Sequence, residues 1–300
     1  MRHAKGEKIN GWLIIDKPVG INSTTVVNQT RRLFNAQKNG HTGTLDPFAS
    51  GVLPIAFGEA TKLIPYVTDG KKEYEFTLKF GEATDTLDLT GKTTLSGGRI
   101  PTVEEIRRIL PNFIGKITQT PPAYSAIKIN GQRAYDLARQ GKEVIIPKRE
   151  VFIYDLEFTG LVGESLARFK VECSKGTYVR TLGVDIAASL GSYGHLTELR
   201  RTKCGNFSLA ETILLDNLKN MDYSALMQSL RPLLTCLCDI TVIALSEDDA
   251  VRLQQGQKLS PKGYNLTAGG VEAMAVCDGL PVALVRMDEK SISPIRVFNL

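Results

Sequence analysis

The nine residues 72–80 alternate without interruption between two sets of side chains. One set consists of Tyr74, Phe76, Leu78 and Phe80, and the residues between them are Glu73, Glu75, Thr77 and Lys79. Because successive side chains of a strand point to opposite faces, this period of two predicts a strand with one buried face. Residues 144–158 and 168–173 have the pattern of a second strand and its hairpin partner. These segments favour a fold built around an antiparallel sheet.

Helical patterns lie between the strand segments. Ser23 is placed to cap a helix with one apolar face, and Thr102 with Glu105 forms a capping box that opens a helix through Leu110. Further elements are predicted as helices at 132–140 and 181–190 and a short buried strand at 11–15. Helices mixed with antiparallel strands predict the α+β class, with a mixed and largely antiparallel sheet.

The last part of the chain has a different character. A break near Arg231-Pro232 precedes a segment that begins at about Asp239. In that segment Ser246 and Asp249 have the spacing of a helix cap, and short strand patterns follow at 281–287 and 294–298. The sequence therefore predicts two domains, 1–235 and 240–300, the second of which is small and mostly β.

The positive charge of the chain is unevenly distributed. The formal net charge is +5, which alone does not identify a nucleic-acid partner. However, residues 1–40 and residues 115–149 each contain seven Lys or Arg against two acidic residues. Segments of this kind can line a groove that attracts phosphates, although scattered, solvated lysines remain the alternative.

Several classes of protein are disfavoured by what the sequence contains. Five cysteines, without a C-x-x-C pair, argue against both a disulfide framework and a structural zinc site. Apolar runs fall short of the roughly 18 residues that cross a bilayer. The basic, polar residues 1–8 are not followed by an apolar stretch of signal-peptide length. We therefore expect a cytoplasmic protein with no membrane association.

Residues 40–54 form the most unusual stretch of the chain. Glycines at 40, 43 and 51 and prolines at 47 and 54 exclude a long regular helix, and Asp46 lies among them. Loops held by a rigid scaffold often carry catalytic groups. Aspartate is also a common turn residue, so loop character alone favours the structural interpretation of Asp46.

Other candidate residues are individually as ambiguous. His41 precedes Asp46 in the same loop, and none of the three histidines shows metal-ligand spacing. Tyr74 is by default a packing residue. Tyr178 and Arg180 are expected on one side of an extended segment, where Arg180 can pair with a buried carboxylate or with phosphate. The pair Arg200-Arg201 is interpreted as a phosphate contact or a solvated helix end.

The order of these segments is more specific than any of them alone, and it closely resembles the TruB family of pseudouridine synthases. The resemblance covers about residues 11–210. The segments that carry it are Asp16-Lys17-Pro18-x-Gly20-x-x-Ser23, Gly40-His41-Thr42-Gly43-x-Leu45-Asp46-Pro47-x-Ala49-x-Gly51-x-Leu53-Pro54, Lys72-x-Tyr74, Gly81-x-x-Thr84-Asp85-Thr86-x-Asp88, Pro122-x-Tyr124-Ser125-Ala126-x-Lys128, Lys175-Gly176-Thr177-Tyr178-x-Arg180 and Leu199-Arg200-Arg201-Thr202. More weakly, residues 240–300 are similar to the PUA-like RNA-binding domain often appended to this family.

The resemblance implies an isomerase that converts uridine to pseudouridine in the T-loop of tRNA, at the position conventionally numbered 55. The reaction adds and removes no atoms, so it implies no cofactor and no metal. By matching position, Asp46 is the catalytic carboxylate, and it acts either as a nucleophile toward C1′ or as a base toward the ribose. The implied partner is the T-arm stem-loop of tRNA. No obligate protein partner is expected, and a monomer is the simplest state.

The same resemblance implies roles around Asp46. Tyr74 stacks on the extruded base, and Arg180 pairs with the aspartate and keeps it ionised. Tyr178 and Leu199 belong to the substrate pocket. Two further substrate-site residues are expected: His41 fills space beside the flipped nucleotide, and Lys17 supports the pocket floor.

Three other functions remain open at the level of sequence. A non-catalytic RNA-binding or tRNA-folding module would use the same groove without needing the carboxylate. A base hydrolase would usually need a second carboxylate, which the sequence does not locate. Pseudouridylation of another RNA would keep the chemistry and change the substrate.

Overall fold

The computed structural model describes residues 6–125, 128–129, 132–133, 146–237, 240–264 and 270–300 of the chain. The helix predicted at 132–140 falls mostly outside these residues, and Gln132–Arg133 itself is a strand. Cys238 and residues 144–145 of the predicted long strand are also outside them.

Eighteen strands occur in the described residues. Their bounds are β1 (Gly11–Lys17), β2 (Asn39–His41), β3 (Ser50–Phe57), β4 (Lys72–Phe80), β5 (Glu82–Thr84), β6 (Thr93–Ser96), β7 (Gly115–Gln119), β8 (Lys128–Ile129), β9 (Gln132–Arg133), β10 (Arg149–Leu161), β11 (Leu166–Cys173), β12 (Gly194–Cys204), β13 (Phe207–Ser208), β14 (Ile213–Leu214), β15 (Thr241–Ala244), β16 (Val271–Cys277), β17 (Leu280–Met287) and β18 (Ile292–Val297).

The helices are short. The α-helices are α1 (Ser23–Leu33), α2 (Ile64–Asp69), α3 (Val103–Ile109), α4 (Val179–Ser189), α5 (Leu215–Lys219), α6 (Tyr223–Gln228) and α7 (Glu247–Gln254). The 3₁₀ helices span Gly58–Leu63, Leu110–Phe113, Leu209–Glu211 and Leu233–Cys236. No helix among the described residues is both long enough and apolar enough to cross a membrane.

Ten strands form one large sheet in the order β14-β1-β3-β12-β4-β11-β10-β7, with β2 beside β3 and β13 beside β12. The β1–β14 and β3–β12 pairs are parallel, and the others are antiparallel. This is the α+β class and the mixed, largely antiparallel sheet that the sequence predicts. The alternating strand lies at the centre of the sheet as β4, with the bounds predicted for it.

Local helix signals are mostly confirmed. The capping box of Thr102 and Glu105 is present at α3, and Ser246 accepts a hydrogen bond from the Asp249 amide at the start of α7. The expected cap of α1 is wrong by one residue, because the Asn22 side chain accepts from the Thr25 amide. Ser23 is instead the first helical residue, and its hydroxyl bonds to a distant loop.

Two other expectations are corrected by the sheet. The pair Asn39-Gly40, which has the composition of a turn, lies in β2, and β3 begins at Ser50, within the stretch interpreted as loop. Arg200 and Arg201 lie in β12, near the middle of the sheet, rather than at a helix end. The long-range pairing of β12 with β3 and β4 overrides the local appearance of that segment.

The main core fills the space between one face of the sheet and the helices packed on it. Phe76 of β4 stacks on Phe169 of β11 with ring centroids 5.1 Å apart. Leu78 is fully buried in the same cluster, together with Leu182 of α4 and Val26 of α1. The sheet face and the two helices thus form a rigid support on which loops can be held.

The strands β15–β18 form a separate four-stranded sheet near the C-terminus. A small, mostly β unit is therefore present where the sequence predicts one. Its Met274, Leu284 and Phe298 are buried in one cluster with Trp12 of β1 and Phe207 of β13. The small sheet consequently shares apolar core with the large one.

We expect Phe298→Ala to lower the free energy of unfolding by about 3–5 kcal/mol, because it removes a buried aromatic ring from the cluster shared by both sheets. Phe298 is 1% exposed. Urea denaturation measures the change, with Leu300→Ala, at a position 57% exposed, as the control. A loss below about 1 kcal/mol would mean that the small sheet is not docked as the structure shows.

Candidate active site

The loop between β2 and β3 carries Asp46 and is held from two sides. The Ser23 hydroxyl accepts from the Leu45 amide at 2.8 Å and donates to the Leu45 carbonyl at 3.1 Å. On the other side, the Gly20 amide donates to the Pro47 carbonyl at 2.7 Å. These bonds fix the backbone immediately before and after Asp46.

Gly51 lets the end of this loop enter the sheet. Its φ is +103°, and a Cβ at this position would lie 2.2 Å from the Arg201 carbonyl oxygen. The strands β3 and β12 are paired at this position, so a residue with a side chain in place of Gly51 would push them apart.

A cavity of about 340 Å³ opens above Asp46. This volume is within the range of small-molecule sites and suits one extruded nucleoside. Its walls are residues 42–46, residues 174–180, Lys72 and Tyr74 of β4, Leu199 and Arg201 of β12, and the single residues Thr68 and Ser125. The structure thus brings together Asp46, Tyr74, Tyr178, Arg180 and Leu199, which are five of the seven residues expected at the site.

Arg180 joins two carboxylates beneath the cavity. Its Nη2 lies 2.9 Å from Asp46 Oδ2, and its Nη1 lies 3.4 Å from Asp88 Oδ2. It also donates to the carbonyls of Thr86, at 2.7 Å, and Tyr124, at 2.8 Å. The expectation that Arg180 lies on an extended segment is wrong, since it occupies the first turn of α4. The expected pairing with Asp46 is present.

The environment of Asp46 acts on its carboxylate in opposing ways. About a third of the side chain, 34%, is exposed to the cavity, and protein encloses the rest. Burial raises the pKa of Asp46, Arg180 lowers it, and Asp88 raises it again. The result is a raised pKa, so this carboxylate is more basic than that of a free aspartate. Its basicity is therefore set mainly by enclosure, while Arg180 fixes its orientation.

Tyr74 lies on the core-facing side of β4, in the cavity wall. Burial raises the pKa of its phenol to about 12, so the hydroxyl stays protonated, and the positive charge of Arg201 lies beside it. The Arg201 side chain is 1% exposed and donates through Nε to the Val52 carbonyl at 2.7 Å and through Nη2 to the Gly43 carbonyl at 3.2 Å. Arg201 thus links the tyrosine to both ends of the loop.

Tyr178 immediately precedes α4, and its backbone is held by one side chain. The Tyr178 amide donates to Gln119 Oε1 at 3.0 Å, and Gln119 Nε2 donates to the Tyr178 carbonyl at 3.3 Å. The guanidinium of Arg149 lies 5.0 Å from the centre of the Tyr178 ring. These contacts hold a half-buried ring at the edge of the cavity.

Lys17 and His41 lie next to the cavity but do not line it. The Lys17 amine is buried and donates to the carbonyls of Pro18 and Ile21, each at 2.8 Å, and of Pro47, at 3.5 Å. His41 Nδ1 accepts from the Gly43 amide at 3.2 Å. Burial lowers the pKa of His41, so it is neutral and able to accept this bond at pH 7. Both residues shape the loop from behind.

Some residues of the site were not anticipated in these roles. Asp88 belongs to one of the segments that resemble the family, but no pattern in the sequence indicates that it contacts Arg180. The solvated helix end expected for the arginine pair is wrong: Arg201 is buried against the loop, and Arg200, which lies in a strand, holds Asp16 through two bonds of 3.0 and 2.6 Å. A phosphate contact of this pair stays a prediction. Among the described residues, no group of three or more His, Cys, Asp or Glu side chains is placed to hold a metal ion.

Comparison with protein families identifies the class. Residues 31–179 match the model described as TruB family pseudouridylate synthase (N terminal domain). Residues 180–237 match the tRNA pseudouridylate synthase B C-terminal domain. These matches define the protein as a pseudouridylate synthase, which is an isomerase. The chain belongs to the TruB family.

Curated relatives match the chain over its full length and support its place in the TruB family. A protein of Caulobacter vibrioides named tRNA pseudouridine synthase B is 45% identical over 307 aligned positions, covering 100% of this chain and 99% of the relative. A Rhizobium etli protein of the same name is 46% identical, covering 99% and 98%.

Solved structures share the fold. A chain of a Cbf5–Nop10–Gar1 complex superposes with a TM-score of 0.73 at 24% identity, covering 96% of this chain and 85% of that one. A chain of an H/ACA RNP bound to a substrate RNA containing 2′-deoxyuridine gives 0.73 at 20% identity, covering 100% and 92%.

Removing the Ser23 hydroxyl should release the Asp46 loop. We expect Ser23→Ala to lower the free energy of unfolding by about 1–3 kcal/mol, because both backbone groups of Leu45 lose their partner in a buried place. Thermal and urea unfolding measure the loss, and Thr24→Ala, at the exposed neighbouring position, serves as the control. Equal stability of the two variants would show that the serine does not anchor the loop.

Lys17 should make stability depend on pH in the alkaline range. Burial lowers the pKa of Lys17 to about 8 in the folded chain, whereas the ordinary value is 10.5. Between these values the unfolded chain holds a proton that the folded chain has released, so the contribution of Lys17 to stability increases as pH rises.

We therefore compare the free energies of unfolding of the unaltered protein and of Lys17→Met. The value for the unaltered protein minus the value for the variant should increase from about pH 8 to about pH 10. The gain is at most about 1.4 kcal/mol per pH unit. Urea titrations of both proteins at several pH values measure it. A difference that does not vary with pH would show that the amine titrates normally.

Proposed function

We propose that this enzyme isomerises uridine to pseudouridine in the T-loop of tRNA, at position 55, and that Asp46 is its catalytic residue. The observation that carries the proposal is the carboxylate of Asp46, which lies at the floor of a nucleoside-sized cavity and is held by the buried Arg180. The substrate follows from the name of the full-length relatives, tRNA pseudouridine synthase B.

The reaction breaks the N1–C1′ bond, turns the uracil and joins C5 to C1′. The proton on C5 is lost and a proton is gained at N1, so atoms and electrons balance without a cofactor. Asp46 serves this sequence as a nucleophile at C1′ or as a base toward the ribose. Its raised pKa suits either role, because a more basic carboxylate is also the better nucleophile.

The target uridine must leave its stack to reach Asp46. Tyr74 offers a ring fixed by its place in β4, and stacking of a base on such a ring contributes roughly 1–3 kcal/mol. Leu199 adds an apolar surface to the cavity wall, and the ring of Tyr178 adds another part of that wall. Together they replace the contacts that the base loses on leaving the RNA helix.

Three of the predicted residues, together with Asp88, act by holding other groups in place. Arg180 keeps the Asp46 carboxylate pointed into the cavity, and Asp88 orients Arg180 from behind. His41 holds the turn at Gly43, and Lys17 ties Pro47 to the segment after β1. We assign these four as positioning residues, which hold catalytic and stacking groups in one geometry.

We further propose that residues 1–235 form the catalytic domain and residues 240–300 a PUA-like RNA-binding domain. The basic segments 1–40 and 115–149 would contact the phosphates of the T-arm. The enzyme is proposed to act as a cytoplasmic monomer without an obligate protein partner.

Asp46→Asn should abolish pseudouridine formation and leave RNA binding largely intact. The fold should persist, because Arg180 keeps Asp88 and two carbonyls as partners. Mapping of pseudouridine in a T-arm stem-loop transcript measures turnover, and a gel-shift titration measures affinity. Asp216→Asn, whose side chain is 84% exposed, is the matched control.

A normal rate with Asp46→Asn would remove the residue from the mechanism. If the unaltered protein bound the stem-loop but produced no pseudouridine in any tRNA transcript, the non-catalytic RNA-binding alternative would replace the isomerase.

A further inference from the structure

Ser125 is a wall residue of the cavity with an unusual hydroxyl. The residue is 4% exposed, and its Oγ has no hydrogen-bond partner in the part of the chain that the structure describes. Burying a hydroxyl without a partner costs about 1–3 kcal/mol. Most buried polar groups are therefore paired, and an unpaired one in a binding cavity needs a specific explanation.

Other enclosed hydroxyls of the same cavity have partners. The Thr42 hydroxyl lies 3.6 Å from Cys204 Sγ, and Thr177 donates to the Ser174 carbonyl at 3.0 Å. The phenol of Tyr74 lies beside the charge of Arg201. Ser125 thus differs from the other enclosed hydroxyls of the wall. Among the described wall residues, Arg180 Nε is the other buried polar atom without a partner.

The backbone at Ser125 is connected directly to the catalytic ion pair. Arg180 Nη2 donates at 2.8 Å to the carbonyl of Tyr124, the preceding residue, and lies 2.9 Å from Asp46 Oδ2. The Ser125 amide donates to the Ala123 carbonyl at 3.0 Å. The serine is therefore held in place by its backbone, and its hydroxyl contributes nothing to that positioning.

We propose that the Ser125 hydroxyl is a substrate-binding group that bonds to the extruded uridine. This inference rests on the proposed isomerase function of the cavity. A hydroxyl both donates and accepts, so it can bond to a uracil carbonyl or to a ribose hydroxyl. A turn about its single side-chain torsion directs Oγ into the cavity. The nucleotide then supplies the partner that the free enzyme lacks.

The test compares two buried serines, one whose hydroxyl has hydrogen-bond partners and one whose hydroxyl has none among the described residues. Ser23 is 1% exposed and fully bonded, whereas Ser125 is 4% exposed and unbonded. Ser125→Ala should leave the melting temperature of the free enzyme unchanged or higher, while Ser23→Ala should lower it. With a T-arm stem-loop, kcat/KM of Ser125→Ala should fall about 3- to 10-fold, the loss of one neutral hydrogen bond.

Separate kcat and KM values complete the test, together with Ser125→Thr, which keeps the hydroxyl. An increase in KM alone would assign the bond to the bound substrate, and a decrease in kcat would assign it to the transition state. Either supports the proposal, as does a smaller loss with threonine.

Unchanged kcat/KM in Ser125→Ala would overturn the proposal, and so would a melting temperature that falls as it does for Ser23→Ala. All rates are compared on an RNA that the unaltered enzyme converts. Failure of the serine proposal is thereby distinguished from failure of the isomerase assignment, in which the unaltered enzyme itself forms no product.

Discussion

The guanidinium of Arg180 is buried between two carboxylates and two backbone carbonyls, and the geometry of the site depends on it. Burying a charge is costly unless it is paired and hydrogen-bonded, so the loops that carry Asp46, Asp88 and Tyr124 are constrained to converge on one point. Arg180 itself is fixed because α4 packs on the sheet. The ion pair therefore transfers the rigidity of the core to a loop without regular structure.

The loop adds its own restraints, which act at different depths. Ser23 and Lys17 hold its backbone from inside, through carbonyl and amide groups near Asp46. Arg201 reaches it from β12, and its charge also lies beside the Tyr74 phenol. A single buried side chain thus lies against both the loop of Asp46 and the strand of Tyr74, which fixes the two groups relative to one another.

The sequence predicted what depends on near neighbours. The strand at 72–80 and the caps at Thr102 and Ser246 rely on spacing over a few residues, and the structure confirms them. The helix end expected at Arg200-Arg201 was wrong because pairing with strands far away in the chain decides the environment of that segment.

The same limit explains the misassigned cap at Ser23, whose partner Leu45 is 22 residues away. It also explains the contact of Asp88 with Arg180, which joins residues 92 positions apart. The five residues of the site that line the cavity were located through family resemblance, which carries long-range information that local patterns lack. The family resemblance did not distinguish residues that line the cavity from residues that support the loop. Lys17 and His41 were expected at the substrate site, and both support the loop.

Polar groups around the cavity divide into two sets by their effect on the free enzyme. Ser23 and Arg201 have partners and hold the fold together, whereas Asp46 is partly desolvated and Ser125 is unpaired. Asp46 and Ser125 destabilise the empty site. The protein tolerates them because Ser23 and Arg201 hold the loop whether or not substrate is bound. In the role we propose for it, the Ser125 hydroxyl gains a partner when the uridine enters. The free energy of desolvating these groups is lost when the protein folds and not when the substrate binds. The site is therefore already arranged for binding.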